Sequence, residues 1–269
     1  MSESPPAVRA PLRALILAIL FGGTALGATA PAAAQTPDAT ALDSALVRVD
    51  EIRADGAFRD ALLQLSDLRD RHGDRVSLLW RMSVVRVDIG KTADTESAAR
   101  QHYREALELA ERALTVDESS AHAHLARAVA EGRLALQAGR QERVERSRAV
   151  KRHADRAIEL DSSLPGAFHV RGRWHREVSD LNFLERAVVR TVYGGLPDAS
   201  FEQAVRDFQR AIELEDVRFH HLELAKTYLK MDRSTDARAQ LETVLDLPAR
   251  EPFADRYAKE ARGLLEDLE

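Results

Sequence analysis

Residues 164–211, LPGAFHVRGRWHREVSDLNFLERAVVRTVYGGLPDASFEQAVRDFQRA, decide the fold. Pro165 opens an amphipathic run that carries Gly172, and Gly194-Gly195-Leu196-Pro197 marks a turn. A second run then places Ala204, Phe208 and Ala211 at spacings of four and three. A tetratricopeptide-type unit pairs two antiparallel helices in this way. Its first helix carries a small residue, and its second a small-large-small series. The small residues let neighbouring helices approach closely, and the large one fills the space between them.

Working outward, the same series recurs. Ala61, Leu65 and Leu68 form a weak first copy. Ala106, Ala110 and Ala113, then Val150, Ala154 and Ala157, and finally Ala237, Leu241 and Val244 repeat it. The ending Ala-Ile-Glu-Leu-(Asp/Glu) occurs at Ala157 and again at Ala211, which points to internal duplication. First helices are expected over residues 42–54, 77–89, 121–138, 165–179 and 219–231, with Gly90 and Gly139 as stops. The final positions of the series, 68, 113, 157, 211 and 244, lie 45, 44, 54 and 33 residues apart. Only the last gap is near a repeat of about 34, so the other units must hold longer helices or inserts. Residues 91–97 read as one polar insert. Residues 250–268 read as a capping helix with Pro252 in its first turn.

One unit alone cannot bury its apolar stripe, so the units must stack. The fold class is therefore all-α: a tetratricopeptide-like helical-repeat solenoid, a right-handed superhelix with a C-terminal capping helix, over residues 41–269. First helices are expected to line its concave side. Helix phase puts His122, Arg133, His169, Arg173, Arg176, Glu223 and Lys230 there as candidate partner contacts. Their mixed charge suits a protein or peptide partner.

Composition narrows the function classes. The net charge of -5 gives no basic field for nucleic acid. Residues 140–156, RQERVERSRAVKRHADR, are the one basic run; it reads as a solvated helix face or a surface for an anionic partner. Cysteine is absent, which excludes disulfides and thiol nucleophiles. No nucleophile motif, phosphate-binding glycine loop or His-Glu-x-x-His occurs, so no catalytic residue and no cofactor is expected. No histidine pair has the three- or four-residue spacing of helical metal ligands, so no metal is expected.

Residues 1–34 read as a secretory signal. Arg9 and Arg13 precede the apolar stretch 15–26, and Ala32-Ala33-Ala34 offers a cleavage site. The chain is then exported, periplasmic or secreted, with residues 35–40 as a flexible leader. The alternative is an uncleaved anchor, the one case in which membrane contact is expected.

Residues 172–214, GRWHREVSDLNFLERAVVRTVYGGLPDASFEQAVRDFQRAIEL, resemble the signature of the regulator of microtubule dynamics family. Gly-Arg-Trp at 172–174, Glu-Val-Ser at 177–179, Leu-Glu-Arg at 184–186, the Gly-Pro turn at 195–197 and the Glu-Ala-x-x-x-Phe helix at 202–208 carry it. The resemblance implies a tetratricopeptide-like fold without a catalytic site. In animals the family is linked to microtubules and, in some members, to organelle membranes. An exported protein would not meet tubulin, so microtubule binding rests on the resemblance alone.

Within this stretch, Arg173 and Glu177, four apart, are expected to join Arg176, Glu185 and Arg186 in an ion network between two helices. Gly172 serves close helix contact, and Trp174 is a core or groove anchor, as is Trp80. Pro197, Ala204, Phe208 and Ala211 are structural. A rival reading makes the segment 182–195 one wall of a pocket for a small ligand or lipid.

Overall fold

A computed structural model describes residues 37–269 of the chain. The expected signal, residues 1–34, lies outside the described residues. Twelve helices make up the described part: α1 (Pro37–Ala54), α2 (Phe58–His72), α3 (Val76–Lys91), α4 (Glu96–Val116), α5 (Ala121–Leu136), α6 (Arg140–Leu160), α7 (Pro165–Ser179), α8 (Phe183–Tyr193), α9 (Phe201–Leu214), α10 (Arg218–Lys230), α11 (Ser234–Asp246) and α12 (Ala254–Glu266). Helix α1 begins inside the stretch read as a leader, so residues 37–40 are helical instead.

The helices form five antiparallel pairs, α1/α2, α3/α4, α5/α6, α7/α9 and α10/α11, with α12 as the cap. Every position of the small-large-small series is buried, from Ala61, Leu65 and Leu68 to Ala237, Leu241 and Val244. Gly172 works as its place in the pattern requires. A Cβ there would stand 3.2 Å from both Asp207 Cβ and the Phe208 ring.

The irregular spacing has two physical sources. Helices α4 and α6 are 21 residues long, against 13 for α11, which accounts for the gaps of 45 and 44. The gap of 54 comes from α8, inserted between α7 and its partner α9.

Local sequence fixes the helix ends. Thr95, Ser120, Asn182 and Ser200 cap α4, α5, α8 and α9 by accepting a backbone N–H three residues on, each worth about 1 kcal/mol. The turns after α4 and α6 repeat one device. Asp117 accepts from the Ser119 N–H and hydroxyl, and Asp161 does the same with Ser163. Two expectations need correction. Gly90 does not stop α3; it lies inside the helix, where the Tyr103 ring leaves no room for a side chain. Pro252 precedes α12 and is not in its first turn.

Second helices pack on the first helix of the next unit, while α3, α5, α7, α10 and α12 contact one another in series. That series builds one continuous inner wall. The two ends of the stack also meet. Phe253, just before α12, puts its ring 5.2 Å from that of Phe58 on α2, and the Lys91 ammonium of α3 lies 4.9 Å from its centre. Phe253 adopts a left-handed backbone (φ 68), an unfavourable choice for a bulky residue. The contact across the stack holds it there.

Candidate functional site: the inner wall

The inner wall gathers side chains from five helices, and most of them are already engaged. On α5, His122 stacks on Trp80 of α3 with ring centres 4.7 Å apart, and the Arg81 guanidinium lies 4.2 Å from the Trp80 ring centre. Burial lowers the His122 pKa. On α7, His169 packs edge-on against Phe208 and Phe219, at 5.5 and 4.6 Å. Its Nδ1 stands 2.9 Å from that of His220 on α10. Burial, reinforced by His220, pulls the His169 pKa well below the ordinary value.

Glu223 on α10 is the electrostatic centre of the wall. Arg176 of α7 meets its carboxylate at 2.6 Å and donates to its backbone carbonyl at 3.2 Å. Arg173 approaches at 3.4 Å and Lys226 at 3.1 Å. Lys226 reaches on to Glu260 of α12 at 2.5 Å. Burial alone would raise the Glu223 pKa, but Arg173, Arg176 and Lys226 outweigh it and hold the carboxyl well below the usual carboxylate range. An ion tied to three cations is a structural tie and a poor base. Lys230 is exposed and pairs with Asp180 at 2.8 Å.

The ion network therefore differs from the expected one. Arg173 pairs with Glu223, not with Glu177. Glu177 meets Arg176 at 3.0 Å on the protein surface. Glu185 closes the capping box of α8 with Asn182, and Arg186 donates to the Leu181 and Ser179 carbonyls. The tie runs from α7 to α10, because α8 packs away from the wall. Trp174 is a buried core anchor whose indole N–H donates to Ser147 at 2.9 Å.

A second cluster sits where the cap meets α3. Buried Asp88 holds Arg53 at 2.7 Å and Lys91 at 2.8 Å. Burial draws the Lys91 ammonium down to about 8 against the pull of Asp88. Arg133 of α5 faces this cluster, within electrostatic reach of Asp88, Tyr103, Tyr257 and Arg173. Burial and then Arg173 lower its pKa. Arg133 makes no hydrogen bond and no ion pair with any described residue.

Several of these groups left no sign in the sequence. Besides His169–His220, His124 and His153 form a second Nδ1···Nδ1 contact, at 2.8 Å. The His124 Nε2–H donates to the Glu118 carbonyl, so its Nδ1 accepts from His153. The partners lie 29 and 51 residues apart, beyond any local spacing rule. No group of three or more metal-ligating side chains occurs among the described residues. In the segment 182–195, no residue of α8 is fully buried: Phe183, Leu184 and Val192 are exposed, and Val188, Val189 and Tyr193 are partly covered.

The sequence profile described as "Regulator of microtubule dynamics protein 1-3" matches residues 45–269, nearly the whole described chain. The chain belongs to the regulator of microtubule dynamics family. Mouse regulator of microtubule dynamics protein 3 is 30% identical over 179 residues, which cover 66% of this chain but 38% of that protein. Mouse protein 1 is 28% identical over 234 residues, covering 83% of this chain and 76% of its own. Among solved structures, a thermophilic TPR protein of Thermus thermophilus superposes with a TM-score of 0.61 over 81% of this chain and 97% of its own, at 17% identity. That likeness concerns the fold, a helical-repeat scaffold.

Proposed function

We propose that the chain is a non-catalytic scaffold that binds a protein or peptide partner on its inner wall. One observation carries the reading. Arg133 is a guanidinium set into that wall with no acceptor of its own, whereas His122, His169, Arg173, Arg176, Glu223 and Lys230 are all engaged. The guanidinium is only partly covered and has no partner among the described residues, so an incoming acceptor can reach it. A carboxylate would suit it, since a guanidinium binds one through two parallel hydrogen bonds. Asp88, Lys91, Arg173 and Glu223 nearby are held in ion pairs, which supports binding over catalysis.

The test is chemical crosslinking in the native host followed by capture of the protein, with Arg133→Met beside the natural chain. The substitution nearly keeps the side-chain volume and is expected to leave the fold intact. One specific partner is expected to disappear with Arg133→Met. Equal recovery from both proteins would reject the inner wall as the site.

The exported location belongs to this proposal too, and it rests on Arg9, Arg13, the apolar stretch 15–26 and the alanines at 32–34. Mass spectrometry of protein purified from the native host is expected to find the chain beginning near Gln35; an intact N-terminus would favour the anchored alternative. Microtubule regulation, which the relatives' names attach to them, has no support in this chain beyond kinship.

A further inference from the structure

Helix α8 has little packing to hold it folded. It has 11 residues, too few to be stable alone in water, and none of them is buried. Both ends are nonetheless fixed. Asn182 and Glu185 form a complete capping box, and Gly194 closes the helix in a left-handed conformation (φ 75). Arg148 of α6 grips the carbonyls of Tyr193 and Gly195.

What the helix displays is apolar. Phe183 is 86%, Leu184 70% and Val192 65% exposed. Leu184 and Val192, eight apart, share one side of the helix, and Phe183 and Arg190, seven apart, share the adjoining side. Elsewhere among the described residues, large exposed apolar side chains are scattered singly. Beside this helix stands a strongly basic helix of an acidic chain. Helix α8 packs on α6, whose residues 140–156 hold seven Arg or Lys against three Asp or Glu, in a chain of net charge -5. Arg140 and Arg152 of α6 and Arg190 of α8 are exposed and form no ion pair with a described residue.

We propose that α8 is an interfacial helix that docks the protein on an anionic lipid bilayer. Phe183 and Leu184, adjacent at the start of the helix, would enter the headgroup boundary, and the unpaired arginines of α6 and α8 would meet the lipid phosphates. Helices with an apolar face flanked by arginine bind bilayers in this way, through buried apolar area plus attraction to anionic lipid. A bilayer fits better than a partner protein because the exposed Phe183 and Leu184 stand beside arginines that form no ion pair with a described residue. The exported reading proposed above, on which this point rests, would also bring the chain to a membrane, since residues 14–37 contain no charged residue.

The test is flotation of the full chain with vesicles of phosphatidylcholine alone and of phosphatidylcholine with one quarter phosphatidylglycerol. The natural chain is expected to float with the anionic vesicles, and added salt to release it. Phe183→Ser with Leu184→Ser is expected to weaken that binding at least about tenfold, since burying one such side chain is worth a factor of that order. Arg190→Glu should weaken it on anionic vesicles only. All three positions are exposed, so thermal melting is expected to be unchanged. As a second readout, Phe183→Trp should shift its emission to the blue on anionic vesicles. Equal flotation of natural and doubly substituted chains would overturn the proposal by assigning binding to the N-terminal segment. So would a double substitution that only converts a dimer to a monomer in light scattering, or that only abolishes capture of a protein partner.

Discussion

Gly90 shows how much a single missing Cβ decides. A methyl group there would lie 2.5 Å from a ring carbon of Tyr103, which is itself buried. Alanine would gain about 1 kcal/mol in helix propensity, but wedging a rigid ring apart costs about 1–3 kcal/mol. Gly90→Ala is therefore expected to lower stability by up to about 2 kcal/mol in urea denaturation; a stabilised variant would show that Tyr103 can move. The histidines set a pH dependence. Burial, then Arg127 and His124, holds His153 down to about 3, and burial holds His175 at about 4. In the unfolded chain a histidine titrates near 6.5. Below that pH the unfolded state takes up protons that the folded state refuses, so stability falls as pH falls, by about 1.4 kcal/mol per pH unit for each histidine. Above about pH 7.5 neither state is protonated and the effect vanishes. Unfolding measured at pH 7.5 and 5.5 should show this loss, and His153→Phe should flatten it; an unchanged slope would deny His153 the role. The small-large-small alanines were legible because their spacing is local. Gly90 and the histidine pairs were not, because what they touch lies in another helix.

Among the elements, α7 was read to the residue, since Pro165 and the buried stripe through Gly172 define it from within. The long second helices α4 and α6 were legible only as anomalous spacing. Helix α8 was read as an apolar insert, but its direction was not: periodicity reports that a face is apolar, and only the neighbouring helices decide whether anything covers it. Because α8 buries nothing, its stability is local. Asn182→Ala removes the capping box, worth about 1 kcal/mol. Hydrogen exchange of the α8 amides is expected to quicken about fivefold, with the melting temperature of the whole protein unmoved. A drop in global melting temperature would mean that α8 carries packing after all. The ion network was mislocated for a similar reason. Arg173 and Glu177 satisfy the rule for a helix pair, yet Glu223, buried and facing Arg173 from α10, competes better than an exposed Glu177.

At the scale of the molecule, the solenoid is closed on itself, which no repeat pattern announces. Phe253 follows Pro252 in a segment read as the first turn of the capping helix, and its contact with Phe58 joins the two ends of the described chain. This closure separates a scaffold with a guarded inner wall from one with an open groove. The absence of cysteine makes it directly measurable. Spin labels on cysteines placed at Asp60 and Asp255, both exposed and next to the meeting rings, would report the distance between the ends. Packed helices stand about 8–10 Å apart, so an open stack of five pairs would separate α2 from α12 by roughly 40 Å or more. A closed stack predicts a single narrow distribution centred below about 30 Å, which Phe253→Ala broadens. A distribution centred beyond about 40 Å in the natural chain would contradict it.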